Sequence, residues 1–428
     1  MRFAVFTHVI HKQLADRLYA YSPYVREMNL WFKNVKEVEI IAPALQMAKK
    51  KHSSDEPYKH SNIVFIKIPS FHLLNFPAVL DAVIKIPFIF FKIVGAMRRA
   101  DHLHLRCPGN IGLLAAISQI FFPKKPKTVK YAGNWDPKAK QPWTYKLQRK
   151  ILSNTFLSRN IKVLVYGNWT NQSTNILPFF TASFSEKERE STVKNFKPPY
   201  KFIFTGNLVK GKGIFKAIKL IETLKNRGLK SELEIYGDGI LKDSIHEYIQ
   251  RKNFQNVIEL KGRKSLEELK EAYKKAHFVI LLSKSEGWPK TIAEGMWYGC
   301  IPIASAVSCV PWMLNAPPIP VEGPSLIIPA KRGILLSNRL LYKLQDNGQF
   351  KWFQNDARGI PEDRARTGFS QSPEDTSREE IDLSAVVKIL KHSENLREMS
   401  RAGQEISQQY TLERFEAEIK KLLVSKKT

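Results

Sequence analysis

A chain of 428 residues is longer than one ordinary hydrophobic core supports and suits two or three domains. Its composition, 43% hydrophobic and 25% charged, excludes a disordered chain, and a formal net charge of +28 favours an anionic partner: a membrane surface, a nucleotide, a glycolipid diphosphate or nucleic acid. The three cysteines, Cys107, Cys300 and Cys309, are odd in number and lack paired metal-ligand spacing, which fits a reducing compartment without disulfides.

In chain order, residues 1–10 read as a first strand, which His8 and His11 interrupt too early for the core of a secretory signal, so a cytoplasmic place is expected. The loop 8–24 carries several aromatic and basic residues. Residues 76–97 are strongly apolar, but Asp81, Lys85, Pro87 and Lys92 leave no uncharged run near the roughly 18 residues that a spanning helix needs. Within it, residues 84–94, followed by Arg98 and Arg99, read equally as part of a buried helix or as lying in a membrane interface through aromatic and basic contacts. Apolar runs at 2–6, 38–41, 63–68, 102–105, 128–131 and 163–166 alternate with helical patterns, as in βα units around a parallel sheet. His102 and His104 share one strand face, but no third ligand is evident, and no metal is expected. Lys197-Pro198-Pro199-Tyr200 reads as a domain hinge, after which strands are expected at 201–205, 233–236, 257–260, 278–282 and 301–304. Two such halves would face each other across a cleft with strand ends pointing into it. The proline-rich stretch 315–330 and the polar stretch 338–380 break the pattern and read as insertions with partly disordered loops.

Several strand ends in the second half carry glycines. In Phe204-Thr205-Gly206-Asn207-Leu208-Val209-Lys210-Gly211-Lys212-Gly213, glycines allow the backbone near an anion, and Lys210 and Lys212 supply charge that offsets a diphosphate. Lysines beside glycines are also ordinary solvated loop residues. Ile235-Tyr236-Gly237-Asp238-Gly239 is either a ligand contact or a tight turn with Asp238 as a helix cap. The most informative stretch runs from Ser285 to Gly295, after an apolar run at 277–282 that reads as a buried strand. Proline is favoured in a first helical turn, so a helix starting near Pro289 directs the N–H groups of Lys290, Thr291 and Ile292 at the strand end, where an anion would sit. Glu286 in the loop and Glu294 in the helix would repel that anion unless each has other work, and the vicinal hydroxyls of a sugar or ribose are natural partners. A nucleotide-sugar is the simplest ligand that fits.

The Glu286-x7-Glu294 spacing, set in Ser285-Glu286-Gly287-Trp288-Pro289-Lys290 and followed by Gly299-Cys300-Ile301-Pro302-Ile303-Ala304, resembles the signature of retaining glycosyltransferases of family 4, group 1 enzymes of GT-B architecture. The resemblance implies an α/β fold of two Rossmann-like domains facing a central cleft. Residues 1–196 would bind the acceptor, 197–405 would bind the nucleotide-sugar, and a helix within 406–428 would pack back toward the first domain. The implied donor site comprises Gly206, Asn207, Lys210, Lys212, Gly237, Arg263, Glu286, Gly287, Trp288, Pro289, Lys290, Thr291 and Glu294. In it Lys212 and Glu286 are catalytic, Glu294 holds the ribose, and Arg263, in Leu260-Lys261-Gly262-Arg263, flanks the base. Lys212 stands at the lysine of the family's Gly-Arg…Lys-Gly element, whereas Asn207 stands where the arginine is expected, which removes one diphosphate contact.

On the acceptor side the resemblance points to His104 and Arg106, and to Asn134 and Asp136 near a position where the family often has histidine. The implied activity is retaining, metal-independent hexosyl transfer from a nucleoside diphosphate sugar to a glycan or lipid-linked acceptor, without a cofactor. It fits cell-envelope, surface polysaccharide or lipopolysaccharide assembly in the cytoplasm, with a peripheral place at an anionic plasma-membrane inner face. The alternative is a catalytically weakened nucleotide-sugar-binding partner protein, motivated by Asn207 and the missing histidine. A nucleic-acid role rests on charge alone, with no recognisable binding module in the sequence.

Overall fold

In a computed structural model of the chain, the residues described are 1–14, 17–45, 55–73, 75–317, 327–337 and 384–424. The expected insertion at 338–380 lies outside them, as do residues 318–326 of the other.

The apolar runs of the first half become strands because helices cover both sheet faces and leave little side-chain area to water. The strands of this half are β1 (Arg2–Phe6), β2 (Lys12–Leu14), β3 (Arg17–Tyr21), β4 (Glu37–Pro43), β5 (Asp55–Pro57), β6 (Ile63–Ile68), β7 (His102–Cys107), β8 (Lys127–Tyr131), β9 (Ile161–Tyr166) and β10 (Ile176–Phe179). Seven of them form a parallel sheet in the order β10-β9-β8-β7-β1-β4-β6. The other three form a small antiparallel sheet, β2-β3-β5, so the segment read as a loop at 8–24 contributes two strands and the start of the helix Ser22–Phe32.

The second sheet contains β11 (Tyr200–Thr205), β12 (Ser231–Tyr236), β13 (Ile258–Gly262), β14 (Phe278–Leu281), β15 (Ile301–Ser305), β16 (Ile327–Ala330) and β17 (Gly333–Leu336). Its order is β13-β12-β11-β14-β15-β17-β16, and only β16 is antiparallel to its neighbour. The end of the expected insertion at 315–330 therefore extends the sheet as an edge strand.

The helix Ser393–Ser407 packs on the second domain, where Ser400 Oγ donates to Gly299 O at 2.6 Å and Gln404 Nε2 to Trp297 O at 3.1 Å. The last helix, Leu412–Leu423, crosses to the first domain: Phe415 packs edge-on against Phe179 and Phe180, and Lys33 Nζ reaches Glu416 Oε2 at 3.2 Å. Tyr166, Trp288, Ile292 and Phe415 share one continuous core between the domains. Such burial removes apolar area from water at roughly 25 cal/mol per Å², so the final helix stabilises the pairing of the domains as well as itself.

Residues 76–97 lie in a single helix, Phe76–Arg99, capped by Asn75 Oδ1, which accepts from Ala78 N at 3.0 Å. Its Ala82, Ile89, Ile93, Ala96 and Met97 are buried against the first domain. Among the described residues, no helix is long and apolar enough to cross a membrane.

Candidate functional site

β11 has β12 on one side and β14 on the other, so successive connections leave its carboxyl end in opposite directions, the place where open α/β sheets bind ligands. A cavity of about 650 Å³ lies there, lined by Thr205, Gly206, Asn207, Tyr236, Gly237, Asp238, Gly239, Ile240, Arg263, Lys264 and Leu269. Two features open it. Gly237 has a φ of +149°, and a Cβ there would come 1.8 Å from the carbonyl oxygen of Gly206, so the two loops meet backbone to backbone and only glycine fits. At the end of β13 the register shifts: Ile235 faces Leu260 and Tyr236 faces Gly262, which leaves Lys261 as the extra residue of a bulge and carries Arg263 to the cavity.

The glycine loop after β11 brings the lysine in. Lys210–Lys212 make a short 3-10 turn that ends at Gly213, whose φ is +71° and whose Cβ would lie 2.1 Å from Leu282 O. The loop is thereby pressed against the end of β14, and Lys284 N donates to Gly211 O at 3.0 Å. Lys212 Nζ then lies 2.7 Å from Glu286 Oε1, with the carboxylate nearly buried and the lysine side chain 35% exposed. Ser308 Oγ fixes the carboxylate's loop by accepting from Glu286 N at 3.1 Å. Lys210 sits on the exposed side of the turn.

One expectation about the following helix, Lys290–Trp297, needs correction. Pro289 is its N-cap, but Lys290 N already donates to Trp288 O at 2.9 Å and Ile292 N to Pro289 O at 3.0 Å, so two of the three amides expected to face an anion are used within the turn. Trp288 is an anchor between the domains, 7% exposed, with its ring against Tyr166 and Tyr410; it does not line the cavity. Within the helix, Glu294 Oε1 accepts from Ser183 Oγ at 2.6 Å, and burial pushes the carboxyl up from its ordinary value. Tyr273 links Glu294 to the cavity wall, since its hydroxyl also meets Thr205 Oγ1 at 2.7 Å. Thr291 Oγ1 donates to Thr205 O at 3.1 Å and ties the helix to β11.

The first domain touches the loop that carries Glu286 directly. Asn134 Nδ2 donates to Ser285 Oγ at 3.2 Å, and a Cβ on Gly287 would lie 2.5 Å from Ala132 O. Asp136 shapes this loop, accepting from Lys138 N at 2.8 Å while its carbonyl accepts from Arg149. Arg106 forms a nearly buried ion pair with Glu27, whose other oxygen accepts from Thr181 Oγ1 at 3.2 Å. Burial alone would raise the Glu27 carboxyl; the charges of Arg106, Lys130 and Lys290 outweigh it and hold the group below its ordinary value. Lys130 is fully buried, with Nζ donating to Phe180 O at 2.9 Å and lying over the rings of Tyr166 and Phe179; burial lowers its ammonium to about 7.

His104 stands apart from its expected place in the cleft. It is buried in the first core, 4.4 Å from the Trp31 ring, with Nδ1 at 2.8 Å from Thr128 Oγ1, and burial pushes its pKa well down. His102 approaches the same hydroxyl at 3.0 Å, so both rings are structural. Sequence reasoning missed Glu27, Lys130, Ser183 and Tyr273. Lys130 is not singled out by its strand, Lys127-Thr128-Val129-Lys130-Tyr131, which holds a second buried lysine, and Ser183, in an irregular segment, carries no signal.

Two doubly wound domains facing one another across this site define a protein of GT-B fold. Over 99% of both chains, the structure is similar to HepE of Anabaena in complex with UDP and glucose, with a TM-score of 0.57 and 11% sequence identity. It is also similar to sucrose-phosphate synthase of Thermosynechococcus elongatus, at a TM-score of 0.57 and 14% identity over 99% of this chain and 98% of that one. Residues 185–316, which hold the glycine loop, Glu286 and Glu294, match the family model for group 1 glycosyl transferases. A 94-residue stretch is 34% identical to the uncharacterized glycosyltransferase MJ1178 of Methanocaldococcus jannaschii, covering 22% of this chain and 25% of that relative. The chain thus spans about a quarter of the length of the curated relative it matches.

Proposed function

We propose that this chain is a retaining glycosyltransferase that moves a sugar from a nucleoside diphosphate sugar to a glycan or lipid-linked acceptor. The observation that carries this is the Lys212–Glu286 pair at 2.7 Å, in the domain whose cavity is lined by Gly206, Gly237 and Arg263. A cation suited to a departing diphosphate is held against a carboxylate suited to sugar hydroxyls. The base enters the cavity beside Arg263, and the diphosphate extends toward Lys212. Binding exchanges the Lys212–Glu286 contact for lysine-to-phosphate and carboxylate-to-hydroxyl contacts. Because Asn207 supplies no charge, Lys212 bears more of the leaving group than the family pattern implies.

In the transfer the acceptor hydroxyl attacks the anomeric carbon on the face that the diphosphate leaves. The bond from that carbon to the phosphate oxygen breaks as the new glycosidic bond forms, and the departing phosphate takes the acceptor proton. No enzyme nucleophile and no metal is used. The protein supplies electrostatic stabilisation of the developing charge, which counts only to the extent that it is stronger in the transition state than in the ground state. Glu286 steadies the oxocarbenium-like sugar. The acceptor enters from the first domain past Arg106 and Asn134, and polysaccharide or lipopolysaccharide assembly at the cytoplasmic face of the membrane is the setting that suits such acceptors.

The test is transfer itself. HepE was crystallised with UDP and glucose, so UDP-glucose is the first donor to offer, with chelator present, to a pool of envelope glycolipids, and the product's anomeric linkage is read by NMR. An α-linked product from the α-linked donor supports the proposal; a β-linked product contradicts retention. Asn207 favours one rival, a binding protein that assists a partner enzyme, which would bind nucleoside diphosphate without forming product from any acceptor.

A further inference from the structure

We infer that the first domain docks on an anionic lipid bilayer through the outer face of the helix Phe76–Arg99. Spacings of three and four place Phe76, Leu80, Ile84, Phe88 and Phe91 on one side of this helix, and they are 51% to 80% exposed. The opposite side, Ala82, Ile89, Ile93, Ala96 and Met97, is buried, so the exposed ridge is the face that the fold does not use. From Phe76 to Phe91 it runs about 22 Å at 1.5 Å per residue. Phe121, 66% exposed, joins it through its contact with Phe90 at 6.4 Å. Scattered apolar residues are normal on a surface, but a continuous ridge of large ones marks an interaction site.

Charge identifies the partner. Asp81, the one acid of the helix, is neutralised by Lys85 at 2.7 Å. Lys92, 5.4 Å from the Phe88 ring, and Arg98 are exposed along the helix, and Lys124 is exposed beside Phe121. An apolar stripe flanked by cations suits a surface with acyl chains beneath anionic headgroups, to which each nearby lysine or arginine adds attraction. The net charge of +28 acts in the same direction. The geometry also fits an acceptor delivered from lipid: Phe76 follows the carboxyl end of β6, the end of the parallel sheet that faces the cleft, so the ridge begins at the cleft's rim and runs away from it.

The experiment is co-sedimentation of the full chain with vesicles of phosphatidylcholine alone or with about one third phosphatidylglycerol, beside the double variant Ile84→Glu/Phe91→Glu and the control Val193→Glu, which alters an exposed apolar residue elsewhere. Wild type and control should partition at least about tenfold more strongly onto the anionic vesicles than onto the neutral ones, and the double variant should lose that binding with its melting temperature unchanged. Equal binding by the double variant, or no binding by wild type to either vesicle, overturns the inference. So does light scattering that finds a dimer of wild type which the double variant abolishes, since the ridge would then be covered by a second copy of the chain.

Discussion

Lys212 Nζ and Glu286 Oε1, 74 positions apart in sequence, are 2.7 Å apart in space, the carboxylate nearly buried and the lysine partly open to solvent. Without a ligand each neutralises the other, and removal of either leaves the other charge without its partner, the carboxylate nearly buried. Lys212→Ala and Glu286→Ala should each lower kcat at least about tenfold, and because the two act on one transition state the double variant should lose less than the product of the single losses. Initial rates of the four proteins measure this; near-normal rates in both single variants contradict the site.

The contact between domains makes a separable prediction. A methyl group at Gly287 would meet Ala132 O at 2.5 Å, so Gly287→Ala pushes the first domain away from the loop that carries Glu286 without altering any residue that lines the cavity. Turnover should fall about tenfold or more, as for other small misplacements of reacting groups, while nucleotide affinity stays unchanged. Isothermal titration beside steady-state rates separates the two effects.

Lys130 gives the fold a pH dependence of definite sign. Its ammonium titrates at about 7 in the folded state, against about 10.4 in an unfolded chain. Between these values the unfolded chain binds the extra proton, so this group's contribution to stability rises as pH rises, by at most ~1.4 kcal/mol per pH unit. From pH 7 to 9 the melting temperature of wild type should rise relative to that of Lys130→Met. A constant difference between the two proteins across that range would show that Lys130 is not buried as a neutral amine.

Arg106 and Glu27 form a nearly buried pair, so truncating one strands the other. Arg106→Ala should cost about 3–5 kcal/mol, and the double variant Arg106→Ala/Glu27→Ala should recover part of that loss. Equilibrium unfolding in urea measures both.

Much of the framework was legible in the sequence, because parallel strands buried on both faces leave uninterrupted apolar runs. The run read at 102–105 lies within β7, and that at 201–205 lies within β11. Gly237, in the cavity, shows why glycines at strand ends were informative: a Cβ there would come 1.8 Å from Gly206 O, and close backbone approach admits no other residue. What was not legible has a different cause. His104 and Trp288 have side chains that suit ligand contact and core packing equally, and only tertiary packing decides, here against Trp31 for one and Tyr166 for the other. Glu294 stands in the helix Lys290–Trp297, and its hydrogen bond comes from Ser183, 111 positions away, which no local pattern announces.

The most direct measurement is the thermal shift of the full chain with UDP, GDP, ADP and CMP, for wild type and Lys212→Ala. One nucleoside diphosphate should raise the wild-type melting temperature, corresponding to about 2.7 kcal/mol when the ligand is at a hundred times its Kd, and Lys212→Ala should need at least about tenfold more ligand for the same shift. No shift with any nucleotide, or the same shift in both proteins, would contradict a nucleoside diphosphate seated beside Lys212 and Glu286.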